Sequence, residues 1–382
     1  MSGTATRPAR LANVTLLVAQ ACNLRCGYCY ADGGSYGAPA QRMAATTLKR
    51  ALERLLPLAG PRLTLSFFGG EPLLNLPLLE AAVLLGRRLG ETAGVEVRFA
   101  LTTNGTLLEG RALEFVTRHV DFLAVSLDGE AAVTDRARRF RRGRGSVHAR
   151  VCAGLERLRA AGVPFGLRAT VTPESAPRLA DSAGHLAGLG PVSLRLVPDF
   201  GATPWPEPAL AALVAGFDTL HREALARALT GHVPLGGEAL YPLLAHRVQG
   251  TVRERPCAAG EAVVAVAADG AVYPCDHFVG NAAFRMGCVH DGDFPGPEFA
   301  RVQARLAANT VAARPACRAC EASHLCGGEC PAVAAAGGGG IAGADGAFCR
   351  FKRETTARLQ ALLDEVAPVG ELPAPLCALV EG

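Results

Sequence analysis

Three cysteines stand close together near the start of the chain, in Cys22-Asn-Leu-Arg-Cys26-Gly-Tyr-Cys29. Iron-sulfur clusters are normally held by four thiolates, so a CxxxCxxC loop supplies three and leaves one iron open to another molecule. Zinc also accepts thiolates, but its structural sites take four protein ligands, usually in paired motifs. A second series follows much later: Cys257, Cys275, Cys317, Cys320, Cys326, Cys330 and Cys349, with Gly270 between the first two. Cys152, Cys288 and Cys377 stand outside both series and read first as small buried hydrophobes.

Between the two series lie short motifs able to hold a ligand: Gly69-Gly70-Glu71-Pro72, Asn104-Gly105, Ser126-Leu-Asp128-Gly129 and, a little further on, Arg138. Consecutive glycines let backbone approach a ligand closely, and Glu71 can accept a hydrogen bond from an ammonium group. Ser126 and Asp128 suit ribose hydroxyls, and the guanidinium fork of Arg138 matches a carboxylate. Taken singly, Gly69-Gly70 and Asn104-Gly105 read as ordinary turns. Arg138 also sits in the densest basic run, Arg136 to Arg144, which reads either as a solvated face or as a surface that attracts an acidic peptide. Asp276 directly follows Cys275. Beside an anionic cluster, like charge and burial raise a carboxylate pKa, which suits a base. The plain alternative for Asp276 is a cap or turn, and His277 is a second titrating group next to it.

These residues need a scaffold. From Asn13 to Pro198 apolar, β-branched runs alternate with helical patterns, the rhythm of βα units around a parallel sheet. Strands are predicted at Asn13 to Ala19, Leu63 to Phe68, Val95 to Leu101, Phe122 to Leu127, Phe165 to Val171 and Val192 to Val197. Each is short and nearly continuously apolar, as strands buried on both faces are. Right-handed crossovers would close them into a full or partial barrel with its chemistry at the strand C-termini. Pro204 to Pro208 breaks the pattern, and a helix is predicted over Leu210 to Leu229. From Cys257 to Cys349 periodicity weakens while glycine and cysteine rise, as in a small fold stapled by metal. Ala334 to Gly346 is a Gly-rich loop, and helical periodicity returns from Phe351 to Val366. The expected domains are therefore a barrel core over residues 1–205, a helical linker over 206–255, a cysteine-rich module over 256–350, and a C-terminal helix and tail over 351–382.

Composition excludes some classes. Hydrophobic residues make up 49% and charged ones 19%, which is globular and not disordered. A net charge of +4 gives no push toward nucleic acid or membrane. No run reaches transmembrane length, and Met1 to Arg10 has no apolar stretch to serve as a signal peptide. A cytoplasmic location is expected, and thirteen cysteines in a thiol-reducing compartment point to metal or catalysis.

The cysteine loop, followed in order by the motifs at 69–72, 104–105 and 126–129, resembles the radical S-adenosylmethionine (SAM) superfamily. There, the open iron chelates SAM, and reduction cleaves it to a 5'-deoxyadenosyl radical. The resemblance implies an α/β fold with a partial (β/α)6 barrel. It implies a [4Fe–4S] cluster on Cys22, Cys26 and Cys29, and SAM against Gly69, Gly70, Glu71, Asn104, Ser126, Asp128 and Arg138. Thr134 departs from many relatives, which carry His there. The second series is similar to the SPASM domain of radical SAM enzymes that mature peptides, sulfatases and quinoproteins. That likeness implies one auxiliary cluster on Cys317, Cys320, Cys326 and Cys349 and another on Cys257, Cys275 and Cys330, hence three [4Fe–4S] clusters in all. The last set is one ligand short, because residues 251–256 offer no upstream cysteine of the kind sulfatase-maturing relatives carry. Either Cys288 completes it, or one iron stays open to a substrate thiolate.

The resemblance implies a peptide or protein maturase served by an electron donor such as flavodoxin or ferredoxin. Asp276 is its expected catalytic base. The stretch Tyr30 to Gly37 is similar to that of thioether-forming maturases, which makes a Cys thioether or related crosslink the expected product. The alternative is an anaerobic sulfatase-maturing enzyme that oxidises Cys or Ser to formylglycine. No leader-binding domain is expected before Asn13. A non-catalytic iron-sulfur carrier is a reading of another class, but it has no use for a barrel, Glu71, Ser126 or Arg138.

Overall fold

The computed structural model describes residues 10–201, 203–344, 346–367 and 372–381. The signal-peptide reading of Met1 to Arg10 falls almost entirely outside them. Nine strands form one sheet: β1 (Leu11–Gln20), β2 (Gln41–Arg42), β3 (Ala59–Gly69), β4 (Glu96–Thr103), β5 (Phe122–Ser126), β6 (Gly166–Val171), β7 (Ser193–Pro198), β8 (Val263–Val266) and β9 (Val272–Tyr273). Their order is β7-β6-β5-β4-β3-β1-β8-β9, with β2 pairing the end of β1. From β1 through β7, β2 aside, neighbours run parallel, joined by helices α1 (Ala45–Leu55), α2 (Leu76–Ala93), α3 (Gly110–His119), α4 (Ala131–Ala137), α5 (Val147–Ala160) and α6 (Leu179–Gly188). The six predicted strands are these, and the sheet is a partial barrel, edged by β7 and β9.

The strands are less uniform than their sequences suggest. In β3, Leu63, Leu65 and Phe67 are buried while Thr64, Ser66 and Phe68 are half-buried; β5 and β6 alternate in the same way. β1, flanked by β3 and β8, is buried almost throughout, as are the short β8 and β9. The apolar face packs under the helices with Leu79, Val83, Phe115, Val151 and Leu155. Each such fully buried side chain contributes about 1.5–3 kcal/mol. The other face carries Asn13, Thr64, Ser66, Ser126 and Arg168, and Asn13 Nδ2 donates to Ser66 Oγ at 2.8 Å. The strands are thus not apolar on both faces: the inner face mixes these polar side chains with Leu17, Phe68, Ala100 and Ala124.

The C-terminal part is welded to this sheet. β8 adds parallel to β1 in the register Asn13↔Val263 to Leu16↔Val266, and β9 returns antiparallel. Buried Gln20 accepts from Ala268 N at 2.7 Å, and Thr47 Oγ1 meets His290 Nε2 at 3.1 Å. Helix α7 (Glu207–Leu229) leads away from the barrel, and the long helix Gly346–Val366 lies back against it through Phe217 and Phe351, whose ring centroids are 5.0 Å apart. Among the described residues no helix is long and apolar enough to cross a membrane.

Candidate active site

The first cysteines sit on the loop that leaves the C-terminal end of β1. Two backbone amides aim at their sulfurs: Leu24 N donates to Cys22 Sγ and Gly33 N to Cys29 Sγ, each at 3.3 Å. Burial pushes the Cys22 thiol up to about 11, with Glu71 and Cys29 adding to the rise. Burial likewise pushes Cys26 up to about 12, opposed by Arg138 and reinforced by Asp128, Cys22 and Cys29. The three sulfurs thus feel one another's charge. Yet among the described residues no three His, Cys, Asp or Glu side chains gather around a point to hold a single ion.

The glycines at the end of β3 lie against the cysteine loop. A Cβ on Gly70 would lie 2.2 Å from Ala21 O, and one on Gly34 2.4 Å from Gly70 Cα. Gly70 N donates to Ala19 O at 2.8 Å and Glu71 N to Ala21 O at 2.9 Å. What Gly69 and Gly70 permit is close contact with the cysteine loop itself. That contact delivers Glu71, which is fully buried, beneath the loop. Its Oε1 accepts from Leu73 N at 3.1 Å and Thr103 Oγ1 at 2.8 Å, and its Oε2 from Asn104 N at 2.8 Å. Burial raises Glu71 to about 7 against these hydrogen bonds. One lone pair on Oε2 remains for a further donor. Asn104 Nδ2 donates to Asn23 Oδ1 at 2.8 Å and reaches Cys22 Sγ at 3.6 Å, tying the loop after β4 to the cysteine loop.

Asp128 and Arg138 are committed to each other. Arg138 Nε and Nη2 donate to the two Asp128 oxygens, each at 2.9 Å, and Tyr28 OH (2.6 Å) and Thr170 N (3.0 Å) take the remaining places. With four donors Asp128 has its lone-pair sites filled, whereas the pair occupies only the Nε–Nη2 edge of Arg138 and not its Nη1 side. The pair, 5% and 6% exposed, is a buried brace that fastens the cysteine loop through Tyr28. Ser126 stays half-buried at the C-terminal end of β5.

The later cysteines fall into two groups. The charges that raise Cys275, after burial and Asp276, include Cys330 and Cys257, and Cys330 in turn feels Cys257. Cys326 feels Cys317 and Cys320, and Cys349, pushed up to about 11 chiefly by burial, feels Cys326 and Cys317. Cys317, Cys320, Cys326 and Cys349 line one cavity of about 220 Å³. Cys288 is buried elsewhere, its thiol directed at Asp269 O at 3.9 Å, and Cys152 and Cys377 lie against His148 and Leu372 O.

Residues 16–181 match the radical SAM superfamily. This stretch is a radical SAM domain. The serine-type anaerobic sulfatase-maturating enzyme of Klebsiella aerogenes is 27% identical over 361 residues, covering 90% of this chain and 84% of that protein. The AdoMet-dependent heme synthase of Methanosarcina barkeri is 34% identical over 173 residues, 45% of this chain and 46% of that one. Among solved structures, histidine-tagged anSMEcpe with bound AdoMet superposes with a TM-score of 0.78 at 20% identity, covering 97% of this chain and 98% of that one. SuiB of Streptococcus suis bound to S-adenosylmethionine superposes with a TM-score of 0.60 at 15% identity, covering 89% and 77%. At these identities the superpositions establish the fold. The radical SAM match and the sulfatase-maturating relatives support an enzyme that uses SAM and a [4Fe–4S] cluster.

The radical SAM domain and the C-terminal module meet at residues the sequence did not connect. Tyr30, next to Cys29, donates from its hydroxyl to Asp276 Oδ2 at 2.5 Å, and its ring stacks on His277 at 3.8 Å. Burial and the charge of Asp276 hold the Tyr30 phenol protonated. The Tyr36 hydroxyl is buried beside that of Tyr30, and its pKa is raised by burial and then by Asp276. Arg314, 1% exposed, donates to Asn309 Oδ1 (2.9 Å), Glu329 O (3.0 Å) and Ile341 O (3.2 Å), spanning the loops that carry Cys317 to Cys330.

Proposed function

We propose that the protein oxidises a Cys or Ser residue of a peptide or protein substrate, holding three [4Fe–4S] clusters. Cys22, Cys26 and Cys29 would hold the SAM cluster. Cys317, Cys320, Cys326 and Cys349 would hold one auxiliary cluster, and Cys257, Cys275 and Cys330 the other. When bound, SAM and the clusters supply a 5'-deoxyadenosyl radical to take a hydrogen atom and an acceptor for one electron. The chain's own residues orient SAM and remove a proton. Glu71 offers its last lone pair to the SAM amino group, Ser126 a hydroxyl, and Asn104 fixes the loop between them. Asp276 takes the proton from the substrate oxygen or sulfur, and Tyr30 fixes which of its oxygens faces that proton.

The observation that carries this reading is the Tyr30–Asp276 hydrogen bond, which places a carboxylate where the loop of the first cysteines meets the second series. Loss of a hydrogen atom, a proton and an electron is a two-electron oxidation. It is the change made in sulfatase maturation, and full-length similarity to the Klebsiella enzymes supports it. A second reading, formation of a Cys thioether, is favoured by one feature. With Cys288 turned to Asp269, the set of Cys257, Cys275 and Cys330 leaves a ligand place that a substrate thiolate can fill. An electron donor such as flavodoxin or ferredoxin serves either reaction. The test is mass spectrometry of Ser- and Cys-containing peptides after anaerobic turnover, with Asp276→Asn in parallel. The variant is expected to release 5'-deoxyadenosine but to form product at least ~100-fold more slowly, the usual contribution of a positioned base. Unchanged product formation removes Asp276 from the chemistry.

A further inference from the structure

The basic run Arg136 to Arg144 is strapped to the first cysteine loop. Arg25 N donates to Arg139 O at 2.8 Å, Gly27 N to Ala137 O at 2.9 Å and Arg141 N to Asn23 O at 2.8 Å. Leu24 and Phe140 form an antiparallel bridge between them. The run is therefore held by one isolated bridge and three backbone hydrogen bonds along Asn23–Gly27, on the loop that carries Cys22, Cys26 and Cys29. Two of its arginines are spoken for: Arg138 by Asp128, and Arg136 by Glu174 at 2.9 Å. Arg139, Arg141, Arg142 and Arg144, with Arg25 opposite, are exposed. None of these five forms an ion pair among the described residues, although exposed arginines elsewhere, such as Arg111 and Arg301, pair with glutamates. The Arg141 guanidinium lies over the turn whose amide meets Cys29 Sγ, so close that a Cβ on Gly33 would stand 2.1 Å from Arg141 Nη2.

We propose that this arginine face is the docking surface for an acidic one-electron donor protein, a flavodoxin or ferredoxin, which delivers its electron to the cluster at Cys22, Cys26 and Cys29. The proposal rests on the reading that these cysteines hold that cluster. Cationic groups already neutralised by carboxylates do little to attract a partner, whereas five without ion pairs on two adjoining segments make a field that steers a partner within a Debye length of about 8 Å. The Tyr30–Asp276 contact joins the cysteine loop to the C-terminal module, so the two approaches use different residues. In the step itself the donor's reduced flavin or cluster loses one electron and the enzyme's cluster gains it.

The experiment compares reconstituted wild type with an Arg139→Glu/Arg142→Glu/Arg144→Glu variant in anaerobic stopped flow, following the bleaching of cluster absorbance. Flavodoxin hydroquinone is one reductant and the reduced methyl viologen cation the other. Steering by complementary charge is worth one to three powers of ten in association rate. The variant should therefore be reduced by flavodoxin at least ~10-fold more slowly at low salt, with the gap closing toward about 0.3 M salt. Viologen should reduce it as fast as wild type or faster, since repulsion between like charges has been removed. Three outcomes overturn the proposal: equal flavodoxin rates, an equal slowing with both reductants, or unchanged flavodoxin rates with a raised KM for acidic peptide. The last would assign the face to substrate. If wild type itself shows no bleaching with viologen, the cluster reading fails instead, so the two failures are distinct.

Discussion

Replacing Asp128 by Asn separates a structural brace from a ligand-binding acid. In the fold, Asp128 accepts from Arg138 twice, from Tyr28 OH and from Thr170 N, and its side chain is 1% exposed. Asparagine removes the charge that compensates buried Arg138 and turns an amide toward a donor. Breaking one side of a buried, hydrogen-bonded ion pair costs about 3–5 kcal/mol, a large share of the roughly 5–15 kcal/mol that holds a domain together. At about 2–4 °C per kcal/mol for a unit of this size, the midpoint of thermal unfolding should fall by on the order of 10 °C. The assay is differential scanning calorimetry of the apoprotein without SAM. Because the pair can be exchanged for apolar groups at little net cost, Asp128→Leu/Arg138→Met should recover part of the loss. Recovery stays incomplete because Tyr28 OH and Thr170 N are left without an acceptor. An Asp128→Asn protein that melts with wild type but binds SAM weakly would refute the brace and restore the ribose role.

Three further outcomes are expected. Arg314→Met strips charge-assisted hydrogen bonds worth about 1.5–3 kcal/mol each from the loops of Cys317 to Cys330; iron analysis should show the C-terminal clusters lost while SAM cleavage persists, and wild-type iron content would contradict this. Gly70→Ala forces a Cβ to 2.2 Å from Ala21 O, and since the obstacle is backbone the cysteine loop must shift; reconstitution should fail to give the absorbance of the SAM cluster, and normal loading would show that the loop can give way. In the apoprotein, Cys22 and Cys26 titrate at about 11 and 12, above the ordinary thiol value of 9.0. As pH rises past the ordinary value, the unfolded chain releases protons that the folded one keeps, so stability falls from there up to the folded values. Urea unfolding between pH 8 and about pH 10 should show this decline, shallower in Cys22→Ala/Cys26→Ala and absent once the thiolates are ligated.

Much of the scaffold was legible because βα repeats announce themselves through periodicity. The six core strands lie where their apolar runs placed them, and the helices at Glu207–Leu229 and Gly346–Val366 begin a few residues earlier than predicted, where Pro208 and a Gly-rich approach blur the start. β8 and β9 were missed: Val263–Val266 is only four residues long, and its partner β1 is about 250 residues away in sequence. Cysteine spacing, joined to a family likeness, is what divides the later cysteines into two proposed ligand sets. Pairings leave no such pattern. Nothing in the spacing of Asp128 and Arg138 tells a ligand-binding pair from a buried brace; burial and saturation of the carboxylate decide it. Tyr30 and Asp276 lie 246 residues apart, and only the docking of β8 on β1 brings them together.

The central claim is that Cys22, Cys26 and Cys29 present one open iron to SAM. Its most direct test is the release of 5'-deoxyadenosine from reduced, reconstituted protein, measured for wild type and Cys26→Ala alongside iron content. Wild type should cleave SAM, and the variant should lose cleavage together with one cluster's worth of iron while the iron of the C-terminal module stays. SAM cleavage that survives in Cys26→Ala, or a wild type that fully loads iron and never cleaves SAM, would contradict the account.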